Sequence, residues 1–145
     1  MSALFDAART AIRARLNANW TATPLDRVAW QNEPFAKPLD DQGNALAFLY
    51  VEVFNDTTEL TTVGKPGQRR VTQGGRIVAH AFVPLNAGLD AAGTLRGACA
   101  SIFEEQLFDN VRGWLSREEE GGTADDTGAY FRTSVTIDFD FYRLV

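Results

Sequence analysis

The chain of 145 residues is 45% hydrophobic and 11% aromatic, which supplies enough apolar surface for one domain with its own core. Its single cysteine, Cys99, excludes an intramolecular disulfide, and its single histidine, His80, leaves no ligand set of the zinc type. The net charge of −5 argues against a general nucleic-acid-binding protein. The sequence contains no apolar run of membrane-spanning length and begins with no signal-peptide pattern, so we expect a single domain over residues 1–145, made in the cytoplasm.

The first predicted element is an amphipathic helix over residues 3–18, with Ser2 as a candidate N-cap. Its apolar positions recur at helical spacing: Phe5, Ala8, Ile12 and Leu16. A short strand is then predicted at Val28–Trp30. This strand leads into the block Gln31-Asn32-Glu33-Pro34-Phe35, where the proline disfavours helical geometry in the residue before it.

Two further strands are predicted at residues 46–54 and 77–84, and both are apolar on two faces, as is typical of interior strands. Between them lies a polar, glycine-containing stretch, residues 55–76, that is too long for a tight turn. Its charged residues give it a net charge of +2: Lys65, Arg69, Arg70 and Arg76 against Asp56 and Glu59. Because this sign opposes that of the whole chain, we predict a protruding β-hairpin arm that contacts a partner.

A second helix is predicted from Asn86 or Gly88 to Gln106. Gly93 and Gly97 lie within it, and since glycine lowers helix stability, we interpret them as points of close contact with the sheet. The rest of the chain is predicted to form a fourth strand at residues 107–115, a solvated acidic loop at residues 116–128 and a long strand at residues 130–145.

This order of elements predicts an α+β fold. We expect a mostly antiparallel mixed sheet of about four to five strands, with two helices packed on one face and the long hairpin arm protruding from it.

Few residues offer catalytic chemistry. His80 lies between Ala79 and Ala81 on an apolar strand, a position that favours a packed or interfacial histidine over a catalytic one. Cys99 lies on the apolar side of the second helix, where a free cysteine behaves as a small hydrophobic residue, so we expect an inert thiol. The sequence therefore predicts neither catalytic nor cofactor-binding residues.

A carboxylate metal site is the main chemical alternative. Asp138 and Asp140 project from one face of the final strand and could join Glu52 or Glu33 around a divalent metal, as in a metal-dependent nuclease. No motif fixes this spacing, and acidic residues that alternate along the wet face of a strand are more often solvated or paired with arginine. We therefore predict no metal and assign Asp138 and Asp140 to a partner interface.

The charge distribution also suggests self-association. Residues 104–128 hold eight acidic residues against Arg112 and Arg117, a net charge of −6. A basic arm and an acidic stretch in one chain would suit identical subunits that meet head to tail in a ring. Two independently solvated loops are the alternative.

The order of elements and one local block together resemble a known family. The N-terminal helix, the Val28-Ala29-Trp30 strand, the arginine-containing arm, the strand ending at Pro84 and the closing strand are similar to those of the small tail terminator proteins of long-tailed phages, in particular those of prophages and gene-transfer-agent clusters. The local signature is Asn32-Glu33-Pro34-Phe35 after the tryptophan strand. The likeness covers nearly the whole chain.

The resemblance implies a structural virion protein of the tail and neck, made in the host bacterial cytoplasm. Such a protein caps the head-proximal end of the tail tube as a hexameric ring, stops tube polymerisation and presents a surface for head–tail joining. The implied partners are a tail tube protein, a head-completion or connector protein and further copies of the chain, which would be monomeric or weakly associated in solution. Catalysis, cofactors, membrane association and specific nucleic-acid binding are not expected.

Lys65, Arg69, Arg70 and Arg76 are then the expected contacts to the tube or within the ring. The acidic run at residues 118–120 matches no feature of the family. Three alternatives stay open at this point: another neck, connector or minor tail protein, a metal-dependent enzyme built on Asp138, Asp140 and Glu52, and a host-side binding module with a ligand cavity between aromatic strands.

Overall fold

The computed structural model describes residues 5–123 and 129–145. In these residues the helices are α1 (Asp6–Asn19) and α2 (Leu89–Phe103), with a short 3₁₀ turn at Leu25–Arg27. The strands are β1 (Val28–Trp30), β2 (Phe48–Leu60), β3 (Arg70–Pro84), β4 (Leu107–Phe108), β5 (Val111–Thr123) and β6 (Tyr130–Leu144). They form one sheet in the order β1-β2-β3-β6-β5-β4, in which β1 and β2 are parallel and the other described pairs are antiparallel.

Both helices pack on the same face of the sheet, which confirms the predicted α+β architecture. Helix α1 buries its apolar side completely at Ala8, Ile12 and Leu16, and α2 does so at Cys99 and Phe103. These side chains share one core with alternate residues of the central strands: Leu49, Val51, Ile77, Ala79, Val135 and Ile137. Within the described residues no helix is long and apolar enough to cross a membrane.

The opposite face of the sheet, called the open face below, carries the side chains that alternate with the core. One end of it is closed by four aromatic rings. Phe48 stacks on Phe82 with 4.6 Å between ring centroids, and it also contacts Phe35 at 5.1 Å and Tyr130 at 5.1 Å. Burial of these rings anchors the irregular segment between β1 and β2 against the sheet.

The sheet has six strands, not the predicted four to five, because residues 107–115 form two strands instead of one. Asp109 and Asn110 both have positive φ, 45° and 66°, and make the tight turn between β4 and β5. Asparagine and aspartate are the non-glycine residues that adopt this backbone geometry most readily.

The predicted hairpin arm is also different. Strands β2 and β3 do form a hairpin, but most of residues 55–76 are strand, and only residues 61–69 connect the two. Strand β6 pairs with β3 along its full length, from Tyr130 opposite Pro84 to Leu144 opposite Arg70. The hairpin is therefore part of a broad sheet and does not stand free as a two-stranded arm.

Three smaller predictions need correction. The predicted acidic loop is largely strand, since β5 continues to Thr123. Residues 124–128 and the candidate N-cap Ser2 lie outside the described part of the chain. Helix α2 ends at Phe103. Gly93 and Gly97 do not mark close contacts, because a Cβ built on either glycine would meet no atom within 4 Å.

Candidate interaction surface

Most of the basic residues that were predicted on the hairpin arm lie at one end of the sheet. The connection between β2 and β3, together with the first residue of β3, is called the basic tip and comprises residues 61–70. It is fixed by a hydrogen bond from the amide of Arg70 to Oγ1 of Thr62, 2.7 Å, and by paired backbone bonds between Arg69 and Val145, 3.1 and 2.8 Å. Within residues 5–123 and 129–145, no carboxylate forms an ion pair with Lys65, Arg69 or Arg70. The tip therefore presents uncompensated positive charge.

A groove beside the basic tip extends this surface. It has a volume of about 1110 Å³ and lies between the ends of β4, β5 and β6. Arg70 covers one side of it, with its guanidinium 3.9 Å from the ring centroid of Tyr142. Arg112 and Arg143 also line the groove, together with the exposed apolar residues Leu107 and Leu144. The combination of arginine with apolar side chains is typical of protein interfaces.

Arg76 is placed differently from the other three predicted contact residues. Its guanidinium forms an ion pair with Asp56 at 3.1 Å and lies over the Phe54 ring at 4.4 Å from the centroid. Arg76 lies in β3 well away from the turn, on the open face of the sheet. Its charge is therefore already compensated within the chain.

The two predicted acidic interface residues are engaged as well. Asp138 forms an ion pair with Arg117 of the neighbouring strand β5. Asp140 accepts a hydrogen bond of 3.0 Å from the indole Nε1 of Trp114. Both aspartates lie on the open face, where they link β5 to β6 at a surface that also carries Arg76.

The four carboxylates considered for a metal site are thus held by separate partners. Glu33 pairs with Arg13 of α1, Glu52 with His80, Asp138 with Arg117 and Asp140 with Trp114. Within the described residues no group of three or more potential metal-ligating side chains comes together. A metal-dependent reaction built on Asp138, Asp140 and Glu52 receives no support from this arrangement.

His80 occupies the centre of a polar chain on the open face. Its Nε2 lies 2.7 Å from Oε1 of Glu52, and its Nδ1 lies 2.7 Å from Oγ of Ser134. These three residue types also make up hydrolase triads, yet Ser134 sits in the middle of β6, paired with His80 on one side and Glu119 on the other. The backbone of Ser134 is paired within the sheet and its side chain is nearly buried. The hydrogen-bonded side chains of Glu52, His80 and Ser134 therefore link β2, β3 and β6.

The block that carried the family resemblance has a structural role. Asn32 turns the chain with a φ of 55°, Glu33 pairs with Arg13, and Phe35 packs on Phe48. Arg13 also lies over the Trp30 ring, 4.9 Å from its centroid. These contacts join α1, β1 and the segment after β1.

Several exposed apolar residues were not predicted as part of a contact surface. Trp114 and Leu115 in β5 are 42% and 66% exposed, and Leu60 at the end of β2 is 54% exposed. Trp114 and Leu115 lie within a register shift between β5 and β6, so alternation along the sequence does not reveal their direction. They lie on β5 and β2, the strands next to the two ends of the sheet.

Comparisons with known proteins show the family and the fold of this chain. A family model described as phage tail terminator protein matches residues 7–139. One solved structure is 20% identical, with 97% of this chain and 96% of that chain covered, at a TM-score of 0.66. A second, from the virion of a native gene transfer agent particle, is 12% identical, with 99% and 100% covered, at a TM-score of 0.53. Comparison with curated proteins gives no significant match.

Proposed function

Since the chain belongs to the phage tail terminator family, with which it matches over residues 7–139, we propose that it caps the head-proximal end of the tail tube as a ring and stops tube polymerisation. The family assignment makes it a structural protein of the phage tail, located in the tail or neck of the virion. The proposed partners are the tail tube protein on one side and a head-completion or connector protein on the other, with a hexamer in the particle.

The observation from the structure that best supports this proposal is the basic tip. Lys65, Arg69 and Arg70 lie together at one end of a chain whose net charge is −5. Local positive charge of this kind steers association with an acidic partner surface and fixes its orientation. We assign these three residues to the contact with the tail tube, and Arg76, Asp138 and Asp140 to the shape of the open face beside it.

Termination requires two different ends. One end must be complementary to the last ring of the tube, and the opposite end must not reproduce the acceptor surface that a tube subunit offers. The basic tip and its arginine-lined groove lie where β2 ends and β3 begins, whereas the aromatic rings of Phe35, Phe48, Phe82 and Tyr130 close the open face at the other end of these strands. A chain with such dissimilar ends supports docking from one side only.

Particles produced without this protein provide the test. If it is the terminator, electron microscopy will show tails of irregular, extended length or tails without heads. Tails of normal length on intact heads would contradict the proposal.

Complementation then tests the basic tip. Replacing Lys65 and Arg70 with glutamine should leave the fold intact, because both side chains are exposed, and should reduce the fraction of normal particles. The matched control replaces Arg9 and Arg27 with glutamine, which removes the same charge from the α1 and 3₁₀ segments. Equal complementation by the two double variants would argue against the tip as the tube contact.

A further inference from the structure

We propose that copies of this chain join by β-strand addition, in which the outer edge of β2 at residues 57–60 pairs antiparallel with the outer edge of β5 at residues 116–119 of the next copy. The inference rests on the proposed ring, since the ring supplies the second copy, but it names the two surfaces that meet. Each copy would use a different edge toward each neighbour, so the contact is head to tail.

Both edges are uncovered in the described chain. Strand β1 pairs with β2 only from Leu49 to Val51, and β4 pairs with β5 only at Val111 and Arg112. Beyond these short pairings the outer sides of β2 and β5 face no other strand in residues 5–123 and 129–145. Natural proteins normally cover or interrupt such edges, because exposed backbone groups recruit other strands.

The chain does close its edges at other points. Gln31 Oε1 accepts the outward amide of Val53 at 2.8 Å, which ends the β2 edge beside β1. On β5, the amide of Gly113 donates to the carbonyl of Gln106 at 2.8 Å, and that of Ser116 donates to Oε1 of Glu104 at 2.9 Å. Against these closed positions, the rest of each edge stands out as open.

The hydrogen-bonding direction of the open residues follows from strand alternation. The amide of Thr61 donates to the carbonyl of Arg70 and so points inward, toward β3. Because the direction alternates along a strand, the backbone amides of Thr58 and Leu60 point outward from β2. On β5 the amide of Ser116 points outward, and the amides of Glu118 and Glu120 share its direction. The Ser116 amide stays bonded to Glu104, so Ser116 offers only its carbonyl to the next copy. Each edge is also regular over this length: the β2 run follows the irregularity between Asn55 and Thr57, and the β5 run lies between two irregularities, at Gly113/Ser116 and Glu120/Thr123.

Charge selects the register between the two edges. If Thr58 lies opposite Glu118, then Glu59 lies opposite Arg117, and both of these side chains are on the open face. Shifting the pairing by two residues would place Glu59 opposite Glu119, and like charges directly opposite each other destabilise a sheet. In the favoured register the pairing ends before Glu120, because its counterpart Asp56 lies at the β2 irregularity and is already paired with Arg76. The favoured register also brings Leu60 next to Ser116 and the exposed Leu115, so apolar surface is buried at the end of the contact.

The positions of the two edges are compatible with a closed ring. Thr58 aligns through β3 with Phe141 of β6, whereas Glu118 aligns with Val135, six residues further back along β6. Six residues correspond to a displacement of roughly 20 Å along the strand direction. Each copy contributes the four strands β2, β3, β6 and β5, which together span roughly 19 Å across the sheet, so the strands would tilt by about 45° relative to the ring axis. This is at the upper end of the tilt of roughly 35–45° that closed β-barrels adopt.

Disulfide cross-linking tests the pairing in assembled tails. In the proposed register Thr57 and Glu119 are directly opposite, at a separation suited to a disulfide. With Cys99→Ala as the background, the double variant Thr57→Cys/Glu119→Cys should give a ladder of oligomers on a non-reducing gel, up to the full ring. A mixture of the two single variants should give dimers and nothing larger, and each single variant alone should give monomer.

The controls separate the possible failures. Thr10→Cys/Glu119→Cys places one thiol on the exposed side of α1 and should give no ladder. Dimers from Thr57→Cys alone would indicate symmetric pairing of two β2 edges and would overturn the inference. Tails of normal length that show no cross-link would overturn the edge pairing and leave the terminator function intact, whereas a full ladder from a protein whose loss leaves tails unchanged would overturn only the function. Glu59→Arg should reduce the cross-link several-fold, because it would face Arg117 of the next copy.

Discussion

Gly113 lies directly beneath the carbonyl oxygen of Phe103. A Cβ built on Gly113 would come within 1.9 Å of that oxygen and 3.0 Å of the carbonyl carbon, so the end of α2 rests on the backbone of β5 at a point that admits no side chain. A second contact lies nearby. Glu104, the residue directly after α2, accepts hydrogen bonds from the amide and hydroxyl of Ser116 in β5 at 2.9 and 3.0 Å. This contact sets the position of the helix relative to the sheet and closes part of the β5 edge.

Gly113→Ala should therefore lower the free energy of unfolding by at least about 2 kcal/mol, because the new methyl group can be accommodated only by moving backbone atoms. Urea denaturation followed by circular dichroism measures the change. A variant as stable as the parent chain would show that α2 is not in close contact with β5 at this point.

Gly97→Ala is the matched control and should have the opposite sign. Its Cβ would enter open space on the exposed side of α2, so the substitution improves helix propensity without a clash. We expect an increase of about 0.5–1 kcal/mol in the free energy of unfolding, and a rise of roughly 2–4 °C in the melting temperature. A loss of stability would mean that α2 packs closely against another surface at Gly97, as was predicted from the sequence.

The contrast between these two glycines shows what local sequence can and cannot reveal. Gly97 and Gly113 look alike in the sequence, and only the long-range approach of Phe103 to β5 distinguishes them. By contrast, α1 and β6 were predicted close to their observed bounds, because their hydrophobic periods are local and unbroken, and β1 was predicted from its short apolar run. The outer half of the β2–β3 hairpin was missed as strand because its residues are polar and are held in the sheet by pairing with distant β6.

The candidate surface was predicted to a similar extent. The clustering of Lys65, Arg69 and Arg70 follows from their proximity in sequence. The compensation of Arg76 by Asp56 depends on the register of β2 and β3, which brings together residues twenty positions apart. The two open edges had no local signal, because an edge is defined by which strands are absent beside it.

Cys99 should be unreactive in the folded protein. Its thiol is completely buried, and burial raises its pKa to about 12, so the reactive thiolate is essentially absent at pH 8. Ellman's reagent should detect no thiol in the native chain and one thiol after unfolding in guanidinium chloride. In a Cys99→Ala background, Thr10→Cys on the exposed side of α1 provides the accessible control and should react at once. Native Cys99 reacting at the same rate would contradict the buried position of this residue.

The Arg13–Glu33 ion pair should make stability depend on pH in the acidic range. The hydrogen bond and charge of Arg13 hold the pKa of Glu33 below its ordinary value of 4.5. A carboxylate whose pKa is lowered by folding stabilises the folded state above its unfolded pKa, and this stabilisation disappears as the pH falls through the folded pKa. The parent chain should thus be more stable than Glu33→Gln at pH 7, and the difference should shrink as the pH falls below the ordinary pKa of 4.5 and through the lowered pKa of the folded state.

Asp40 complicates a direct reading of the acid transition, because hydrogen bonds from the Asn44 amides and the Gln42 amide also lower its pKa. The effect of Glu33 is therefore best isolated by a double-mutant cycle with Arg13→Gln, measured by urea denaturation at pH 7 and pH 3. The coupling energy should be favourable at pH 7, should decrease in high salt because both side chains are 44% exposed, and should be smaller at pH 3 than at pH 7. A coupling energy that is the same at both pH values would show that Trp30 packing against Arg13, and not the ion pair, joins α1 to the segment after β1.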